Sequence, residues 1–275
     1  MIDEFDKCLE MGFQEEMSEV IAQIPYLKRR FLLSATDAPA IPRFVSEGDF
    51  LKLNFLEDEE QIPERIKVYT VKSPEKDKLE VLSKLLCYLG DKSSLVFVNY
   101  RESVERVYRY LLQAGISCEM FHGGMEQKDR ERALYKFSNG SCNVFVSTDL
   151  AARGLDIPNI DHVIHYHLPL NEDAYIHRNG RTARWDASGN VFLILGPEEY
   201  LPEFIQQIPE DYVWEGPKPD PAKPQWVTLY IGKGKKDKIN KVDIVGFLSK
   251  VGGLGKSDIG RIDACSYTHL TLPTN

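Results

Sequence analysis

Residues 143–158 read NVFVSTDLAARGLDIP, an apolar run followed directly by polar and charged residues. The stretch opens with Asn143–Ser147, a run of β-branched and aromatic residues that is typical of a buried strand. Polar and charged residues follow at once, among them Thr148, Asp149 and Arg153. In sheets of parallel strands, ligand sites lie beyond the carboxyl ends of the strands. The stretch therefore predicts one strand of a parallel sheet with a functional loop at its end.

The same alternation of strand and helix continues on both sides of this stretch. Other strand-like runs are Ile66–Val71, Leu95–Asn99, Cys118–Phe121, His162–His167 and Asn190–Leu195. Amphipathic helical patterns lie between them at Lys76–Leu89, Arg101–Ala114 and Gln127–Asn139. Alternating β and α elements with continuously apolar strands predict an α/β fold, in which helices cover both faces of a parallel sheet.

The composition excludes several classes of protein. Hydrophobic residues make up 43% of the chain and charged residues 28%, as in ordinary globular proteins. No apolar run approaches the roughly 18 residues of a membrane span, so no membrane partner is expected. The five cysteines are scattered and form no CxxC pair, which argues against a zinc site or a disulfide framework. Reduced thiols indicate a cytoplasmic location.

The charge is unevenly distributed along the chain. The net charge is −8, yet residues 218–261 hold ten lysines and arginines against four aspartates. This basic segment follows a proline-rich stretch, Trp214–Gln225, that is typical of an extended linker. A strand-like run, Trp226–Ile231, and a helical pattern, Val242–Val251, then indicate a separate module. The asymmetry suggests a basic, nucleic-acid-binding module, and the alternative is a solvated lysine loop.

A second stretch, HRNGRTAR at residues 177–184, carries four cationic side chains within eight residues. Such a cluster is costly to hold without counter-charges, and arginine forks match phosphate oxygens well. A triphosphate is therefore the favoured partner. A surface-exposed basic turn is the alternative that the residues alone leave open.

Together, residues 147–158 and 177–184 resemble motifs V and VI of the DEAD-box helicases. The resemblance extends to motif IV at Val96–Asn99 and to motif IVa at His122–Arg130. It also includes motif III at Ser34–Thr36 and a DEFD variant of the DEAD box at Asp3–Asp6. It covers roughly residues 2–208 in the family's order. It implies a RecA-like α/β fold and an ATP-dependent enzyme acting on RNA.

The resemblance also implies roles on the nucleotide side, with ATP and Mg²⁺ as cofactors. Asp3 would bind the metal and Glu4 would orient the attacking water, while Asp156 would bind the ribose. Ser34 and Thr36 would link the nucleotide site to closure on RNA. In motif VI, Arg181 and Arg184 would act as arginine fingers on the γ-phosphate, and His177 would contact the neighbouring motor domain.

On the RNA side, the resemblance places five residues on or next to the phosphate-binding surface: Gly123, Gln127, Arg130, Thr148 and Arg153. The C-terminal module resembles the RRM-like RNA-binding domain of DbpA-like helicases, whose element order is β-α-β-β-α-β. Only its first half is recognisable. Candidate RNA contacts there are Lys233, Lys235 and Lys236, with a solvated loop as the equally weighted alternative.

These features predict the domain organisation. Residues 1–62 would be the end of a first RecA-like domain, 63–210 a complete second one, 211–225 a linker and 226–263 a partial RNA-binding module. Residues 264–275 match nothing in that module, so we expect no strand after Asp263 and a tail of non-native origin. The sequence contains no P-loop. The chain alone is therefore expected to be inactive without the first RecA-like domain of its parent chain.

The resulting hypothesis is part of a monomeric, ATP-dependent RNA helicase that remodels structured RNA, such as ribosomal RNA in large-subunit assembly. The alternative is a non-catalytic RNA-binding or clamping protein made of one motor domain and a basic module. His165 and His167 alternate on one strand and could in principle hold a metal. Hydrogen-bonded strand histidines are the preferred interpretation, since no third ligand is evident.

Overall fold

The structure is a computed structural model that describes residues 1–3, 5–10, 12–24, 26–27, 29–34, 51–53, 65–152, 160–182, 188–206, 208–264 and 268–273. The chain divides into two compact units, Met1–Gln61 and Ile62–Asn275, which are described separately. The described part of the first unit contains helices α1 (Phe5–Glu10) and α2 (Gln14–Ala22). It also contains a parallel bridge between Ile2 and Leu32.

The second unit is built on a seven-stranded sheet in which every pairing is parallel. Its strands run across the sheet in the order β3-β4-β2-β5-β6-β1-β7. Their bounds are β1 (Ile66–Lys72), β2 (Ser94–Phe97), β3 (Cys118–Phe121), β4 (Val144–Ser147), β5 (His162–His165), β6 (Gly189–Leu195) and β7 (Glu210–Asp211). The predicted parallel sheet is confirmed.

Helices cover both faces of this sheet. They are α3 (Leu79–Leu89), α4 (Arg101–Gln113), α5 (Gln127–Ser138), α6 (Asp149–Ala152) and α7 (Glu172–Asn179). Alternate residues of β2 enter two different cores. Val96 packs with buried residues of α3 and α4, whereas Leu95 and Phe97 pack with those of α5, α6 and α7. The alternation confirms the predicted α/β sandwich, because successive strand residues point to opposite faces.

The segment after β6 is attached to the sheet more closely than a free linker would be. Asp211 belongs to β7, and the backbone N–H of Tyr212 donates to Thr70 O at 2.8 Å. The Trp214 ring lies against Tyr88 and beneath the Lys84 ammonium group, which is 4.2 Å from the ring centroid. Residues 212–225, all of which are described, form no helix or strand. The start of the predicted linker is therefore packed on the domain that contains the parallel sheet.

The C-terminal module has strands β8 (Trp226–Ile231), β9 (Ile262–Ala264) and β10 (Thr268–Pro273), with helix α8 (Lys241–Lys250) between the first two. Asn240 caps α8 by accepting hydrogen bonds from the backbone of Val242 and Asp243. The sheet is antiparallel in the order β8-β10-β9.

The prediction that no strand follows Asp263 is wrong. β10 is the middle strand of this sheet, and it pairs with β8 along its whole length. Within it, His269–Leu272 alternates a polar residue with leucine, which is the period of a strand. Elsewhere, none of the helices in the described ranges is long and apolar enough to span a bilayer.

Candidate functional site

Polar residues gather at the carboxyl edge of the central strands. Asn99 comes shortly after β2, Thr148 and Asp149 directly follow β4, and His167 lies just beyond β5. These strands are neighbours in the order β4-β2-β5, so their carboxyl ends meet. Helix α7 then brings residues 172–179 back over this edge. Its first turn is capped by Asn171, whose side chain accepts a hydrogen bond from the backbone N–H of Ala174 at 2.8 Å.

The centre of this edge is Arg178, in the last turn of α7, which is only 1% exposed. Its Nε and Nη2 donate to the two carboxylate oxygens of Asp149 at 2.5 and 2.6 Å. Nη2 also donates to Asn99 Oδ1 at 2.8 Å, and Nη1 donates to the backbone oxygen of His167 at 2.7 Å. The guanidinium lies over the Phe97 ring, 5.1 Å from its centroid. One side chain thus ties α7 to the ends of three strands.

This arrangement supplies the counter-charge that the cationic stretch at 177–184 requires. A buried charge is tolerated when it is paired and its remaining donors are satisfied. Asp149 meets the first condition for Arg178, and the oxygens of Asn99 and His167 meet the second. No role for Arg178 or Asp149 was predicted from the sequence. Asp149 follows a strand-like run and offers a counter-charge for the cations at 177–184, but the sequence does not show which of them it pairs with.

Two histidines, one in β5 and one just beyond it, complete the network in their neutral forms. Burial, and then the charge of Arg178, lower the pKa of His165 to about 3. Its Nδ1 faces Arg178 Nη1 at 3.3 Å and must accept, because a guanidinium only donates. Its Nε2 therefore carries the proton and donates to Asn179 Oδ1 at 2.9 Å.

His167 is likewise held by hydrogen bonds. Its Nδ1 accepts from the backbone N–H of Asn99 at 3.1 Å, and burial followed by the charge of Lys78 lowers its pKa to about 4. Within the described ranges, no group of three potential ligands could hold a metal ion. Both histidines are held by hydrogen bonds, as the preferred interpretation expected, but only His165 belongs to β5, and His167 lies two residues beyond the end of that strand.

The predicted finger Arg181 lies immediately beyond α7 and is 9% exposed. It lines a cavity of about 10 Å³ together with Phe97, Asp149, Ala152, Ala174, His177 and Arg178. Its backbone N–H donates to Arg178 O at 3.2 Å. His177 and Arg181, which the sequence predicts as site residues, are thus brought together beside the Arg178–Asp149 pair.

The turn that carries Arg181 is fixed at its far end by Thr182. The Thr182 hydroxyl donates to the backbone oxygen of Ile160 at 2.5 Å. The same side chain fills the space above Gly189, where an added Cβ would lie 1.9 Å from Thr182 Oγ1. Glycine at position 189 therefore allows Thr182 to pack against the start of β6 and holds the turn in place.

The first unit contains two further predicted residues. Asp3 follows Ile2 and Ser34 follows Leu33, at the same end of two parallel segments in which Leu33 N donates to Ile2 O at 2.9 Å. Asp3 is exposed and Ser34 is half-buried. The other predicted nucleotide or RNA residues Glu4, Thr36, Arg153, Asp156 and Arg184 lie outside the described residues.

The predicted RNA-side residues lie at the ends of the two outermost strands on one side. Gly123 follows the edge strand β3, and Thr148 follows its neighbour β4. Gln127 and Arg130 occupy the first turn of α5, where Arg130 Nη1 donates to Gln127 Oε1 at 3.4 Å. Arg101, which the sequence analysis did not select, brings its Nη2 within 3.3 Å of where a Cβ on Gly123 would lie.

The neighbouring His122 shapes the glycine turn. Its Nδ1 accepts from the backbone N–H of Gly124 at 3.2 Å, and burial lowers its pKa. The ring is therefore neutral at physiological pH and does not add to the positive charge there. Arg101 and Arg130 are among the cations at this corner.

The predicted lysines of the C-terminal module lie on an exposed turn. Lys233 donates to Asp237 Oδ1 at 3.1 Å, while Lys235 and Lys236 lie in a short 3₁₀ turn. All three lysine side chains are exposed. Hydrogen bonding from the backbone N–H of Gly234, followed by that from Lys233, lowers the pKa of Asp237. The turn therefore presents ammonium groups to solvent beside one carboxylate whose lowered pKa favours its ionised form.

Comparison with known families agrees with both parts of the second unit. Residues 77–186 match the helicase conserved C-terminal domain, and residues 228–266 match the DbpA RNA binding domain. The first match includes the Arg178 network, and the second includes the lysine-rich turn.

Individual relatives are similar over nearly the whole chain. The ATP-dependent RNA helicase DbpA of Bacillus subtilis is 30% identical over 98% of this chain and 63% of its own length. The Escherichia coli DbpA is 33% identical over 95% of this chain and 59% of its own length. This chain therefore spans roughly three fifths of the length of these relatives.

A solved structure is similar in fold. S. cerevisiae Dbp5 bound to RNA and ADP BeF3 has a TM-score of 0.60 and is 28% identical, over 71% of this chain and 52% of that one. The parallel sheet, the ordered motifs and both family matches lead to one conclusion. The chain belongs to the DEAD-box family of RNA helicases, and its similarity to DbpA includes the C-terminal RNA-binding domain.

Proposed function

We propose that this chain is the part of an ATP-dependent RNA helicase that supplies the arginine fingers and an RNA-phosphate surface. The observation that carries the proposal is the buried Arg178–Asp149 network, because it fixes the end of α7 that Arg181 directly follows. A finger arginine is effective only when it is positioned before the reaction. A network tied to three strands provides that rigidity.

The chemistry assigned to the fingers follows from the charge of phosphoryl transfer. Negative charge is spread over the oxygens of the transferred group in the transition state. Guanidinium groups of Arg181 and Arg184 would offset this charge, and a finger arginine raises the rate by roughly 10³–10⁵. Because the fingers belong to the second motor domain, hydrolysis would require both motor domains to close around ATP. RNA bound across the two domains would favour that closed state.

Mg²⁺ is proposed as the metal and Asp3 as its protein ligand. A single exposed carboxylate at the end of a strand-like segment fits this ion. In phosphate-handling sites Mg²⁺ is usually held by one or two carboxylates, with water and phosphate oxygens completing the shell. When bound, the ion would neutralise phosphate charge. Glu4 is proposed to orient the attacking water, Ser34 and Thr36 to communicate with RNA, and Asp156 to bind the ribose.

We also propose that the substrate is structured RNA, with ribosomal RNA in large-subunit assembly as the specific case. The DbpA RNA binding domain match supports an RNA substrate. Phosphate contacts from Gln127, Arg130 and Arg153 would hold the backbone without reading sequence. Any preference for a particular RNA would then come from the C-terminal module. We further propose a monomer in the cytoplasm, where the buried thiols of Cys87, Cys118 and Cys142 would stay reduced.

The test joins the first motor domain of Escherichia coli DbpA to this chain in front of Ile62 and measures ATP turnover with and without RNA. We expect RNA-stimulated hydrolysis in this chimera and none in the 275-residue chain, whose sequence contains no P-loop. Arg181→Ala should reduce turnover by roughly 10³-fold or more. Arg181→Lys should restore little, since lysine keeps the charge but loses the planar fork.

Arg109→Ala is the matched control. Arg109 is an exposed arginine on α4 that pairs with Glu105 four residues earlier, outside the proposed site. Its turnover should equal that of the unsubstituted chimera. If RNA binds but turnover never depends on Arg181, the helicase assignment fails and the RNA-clamping alternative is favoured. If a salt-sensitive RNA affinity is also absent, both functions are wrong.

A further inference from the structure

The C-terminal module rests on one stripe of helix α5. Lys128, Arg132, Tyr135 and Asn139 recur at the spacing of a single helix face, and each contacts the module. Lys128 Nζ and Arg132 Cζ lie 5.8 and 4.6 Å from the centroid of the Tyr230 ring. Tyr135 Oη donates to the backbone oxygen of Arg261 at 3.3 Å. These four residues therefore form a continuous contact surface for the module, which we call the α5 stripe.

The module meets this stripe with one face of strand β8. Asn139 Nδ2 donates to Thr228 Oγ1 at 2.9 Å, and Ser141 Oγ lies 2.8 Å from the same oxygen. Thr228 and Tyr230 are alternate residues, so they point to the same side of the strand. Ile231 points to the other side, where it packs with Ile244 of α8 and Ile262. The face turned toward α5 is thus the face without a helix.

In RRM-like sheets, the face without helices commonly binds single-stranded RNA. Aromatic side chains on it stack on the bases of single-stranded RNA. Tyr230 is such an aromatic residue, and it is 38% exposed with two motor-domain cations over its ring. The ring therefore cannot stack fully on a base while the module is seated on the α5 stripe.

We propose that Lys128 and Arg132 form a latch that holds Tyr230 in the absence of RNA and releases it in exchange for an RNA phosphate. The freed ring then stacks on a nucleobase. The inference rests on the proposed RNA-binding function of this chain and adds a second, mutually exclusive partner for Tyr230. It also links the module to the motor surface, because Gln127 and Arg130 belong to the same turns of α5.

The relative strengths of the cation–ring and cation–phosphate contacts favour the exchange of Tyr230 for RNA phosphate. A cation over a partly exposed aromatic ring contributes a factor of about two to five to an equilibrium constant. A charge-assisted hydrogen bond to phosphate contributes a factor of roughly ten to a hundred. Arg132 is also within 3.4 Å of Asp129 Oδ1, which is too long for a strong pair and does not hold the guanidinium away from RNA. RNA phosphate therefore outcompetes the tyrosine ring for these cations.

The experiment locks the module in place with a disulfide. Asn139→Cys and Thr228→Cys join two positions whose side chains touch, in a background with Cys8→Ser and Cys265→Ser; Cys87, Cys118 and Cys142 are buried. A fluorescent single-stranded oligouridylate is titrated into the reduced and oxidised chain, and anisotropy gives the affinity. We expect oxidation to weaken RNA binding by roughly 5- to 100-fold, the contribution of one stacked base. RNA should also slow disulfide formation.

Substitutions of Tyr230 supply the matched controls. Tyr230→Leu in the locked background should bind RNA equally well before and after oxidation, whereas Tyr230→Phe, which keeps the ring, should still respond. Equal affinities of the reduced and oxidised parent pair would overturn the latch while leaving the RNA-binding function intact. So would a disulfide that fails to form without RNA or forms faster with it. Absence of RNA binding in both states would refute the proposed function itself.

Discussion

Replacing Asp149 by asparagine tests whether the network around Arg178 holds the site together. Asn has nearly the shape of Asp and keeps one oxygen for Arg178, but it removes the counter-charge. Of the two hydrogen bonds of 2.5 and 2.6 Å, one can persist to the amide oxygen, and the other is lost because the amide NH2 and the guanidinium are both donors. The remaining acceptors, Asn99 Oδ1 and His167 O, are neutral. Asp149→Asn therefore leaves a guanidinium that is 1% exposed without an anion.

The expected loss follows from that burial. Breaking a buried ion pair by removing one partner costs about 3–5 kcal/mol in unfolding free energy. Asp149 is 30% exposed, so solvent screens part of the interaction and the lower end, about 3 kcal/mol, is expected. The free energy of unfolding of a typical domain is about 5–15 kcal/mol. The variant is therefore expected to fold but to lose a large part of this free energy.

Urea unfolding followed by circular dichroism measures the loss, with Arg106→Ala as the control. Arg106 and Asp77 are also 2.5 Å apart, but their side chains are 59% and 47% exposed. Breaking such an exposed pair costs about 0–1 kcal/mol. The two pairs have the same length and differ in burial. Equal losses in the two variants would show that desolvation does not set the strength of the Arg178–Asp149 pair, and the reasoning would be refuted.

Two other perturbations test the same edge of the sheet. His165 and His167, with pKa values lowered to about 3 and about 4, stay neutral when folded but gain protons when unfolded below about pH 6.5. Above that pH their protonation does not lower the free energy of unfolding. Between about pH 6 and 5 the free energy of unfolding falls by about 2.7 kcal/mol per pH unit. Urea midpoints that do not change over this range would contradict the lowered pKa values. Gly189→Ala, which forces a Cβ against Thr182, should cost roughly 1–3 kcal/mol. Gly246→Ala in α8, where a Cβ meets nothing within 4 Å, should instead gain about 0.5–1 kcal/mol, and thermal melts of the two should shift in opposite directions.

The core of the fold was predictable because its strands carry a strong local signal. The run predicted at Cys118–Phe121 matches β3 residue for residue, and the helix predicted at Arg101–Ala114 differs from α4 by one residue at its end. Strands buried on both faces need continuous apolar residues, and amphipathic helices need a periodic stripe. Both patterns involve residues that are close together in the sequence, so the elements can be predicted without knowledge of tertiary contacts.

Elements that depend on distant partners were not predictable in the same way. Strand β7 consists of Glu210 and Asp211, two acidic residues that become a strand only because β1 offers a free edge. Arg178 looks like its three cationic neighbours in sequence. Its burial depends on Asp149, Asn99 and His167, which arrive from separate strands. The sequence indicated a phosphate site but could not say which arginine faces the interior.

The predicted RNA-side residue Thr148 and the predicted finger Arg181 are connected through the end of β4. The proposed RNA-side residue Thr148 and the network residue Asp149 are consecutive at the end of β4. Asp149 holds Arg178, and the backbone of Arg181 is hydrogen-bonded to that of Arg178. If RNA binds Thr148 as the resemblance implies, any movement of this residue reaches the base of the proposed finger through one peptide bond, one buried ion pair and one backbone hydrogen bond. Such a path is short and closely packed, so it cannot deform gradually. RNA occupancy and finger position are therefore expected to change together, which is what an RNA-dependent ATPase requires.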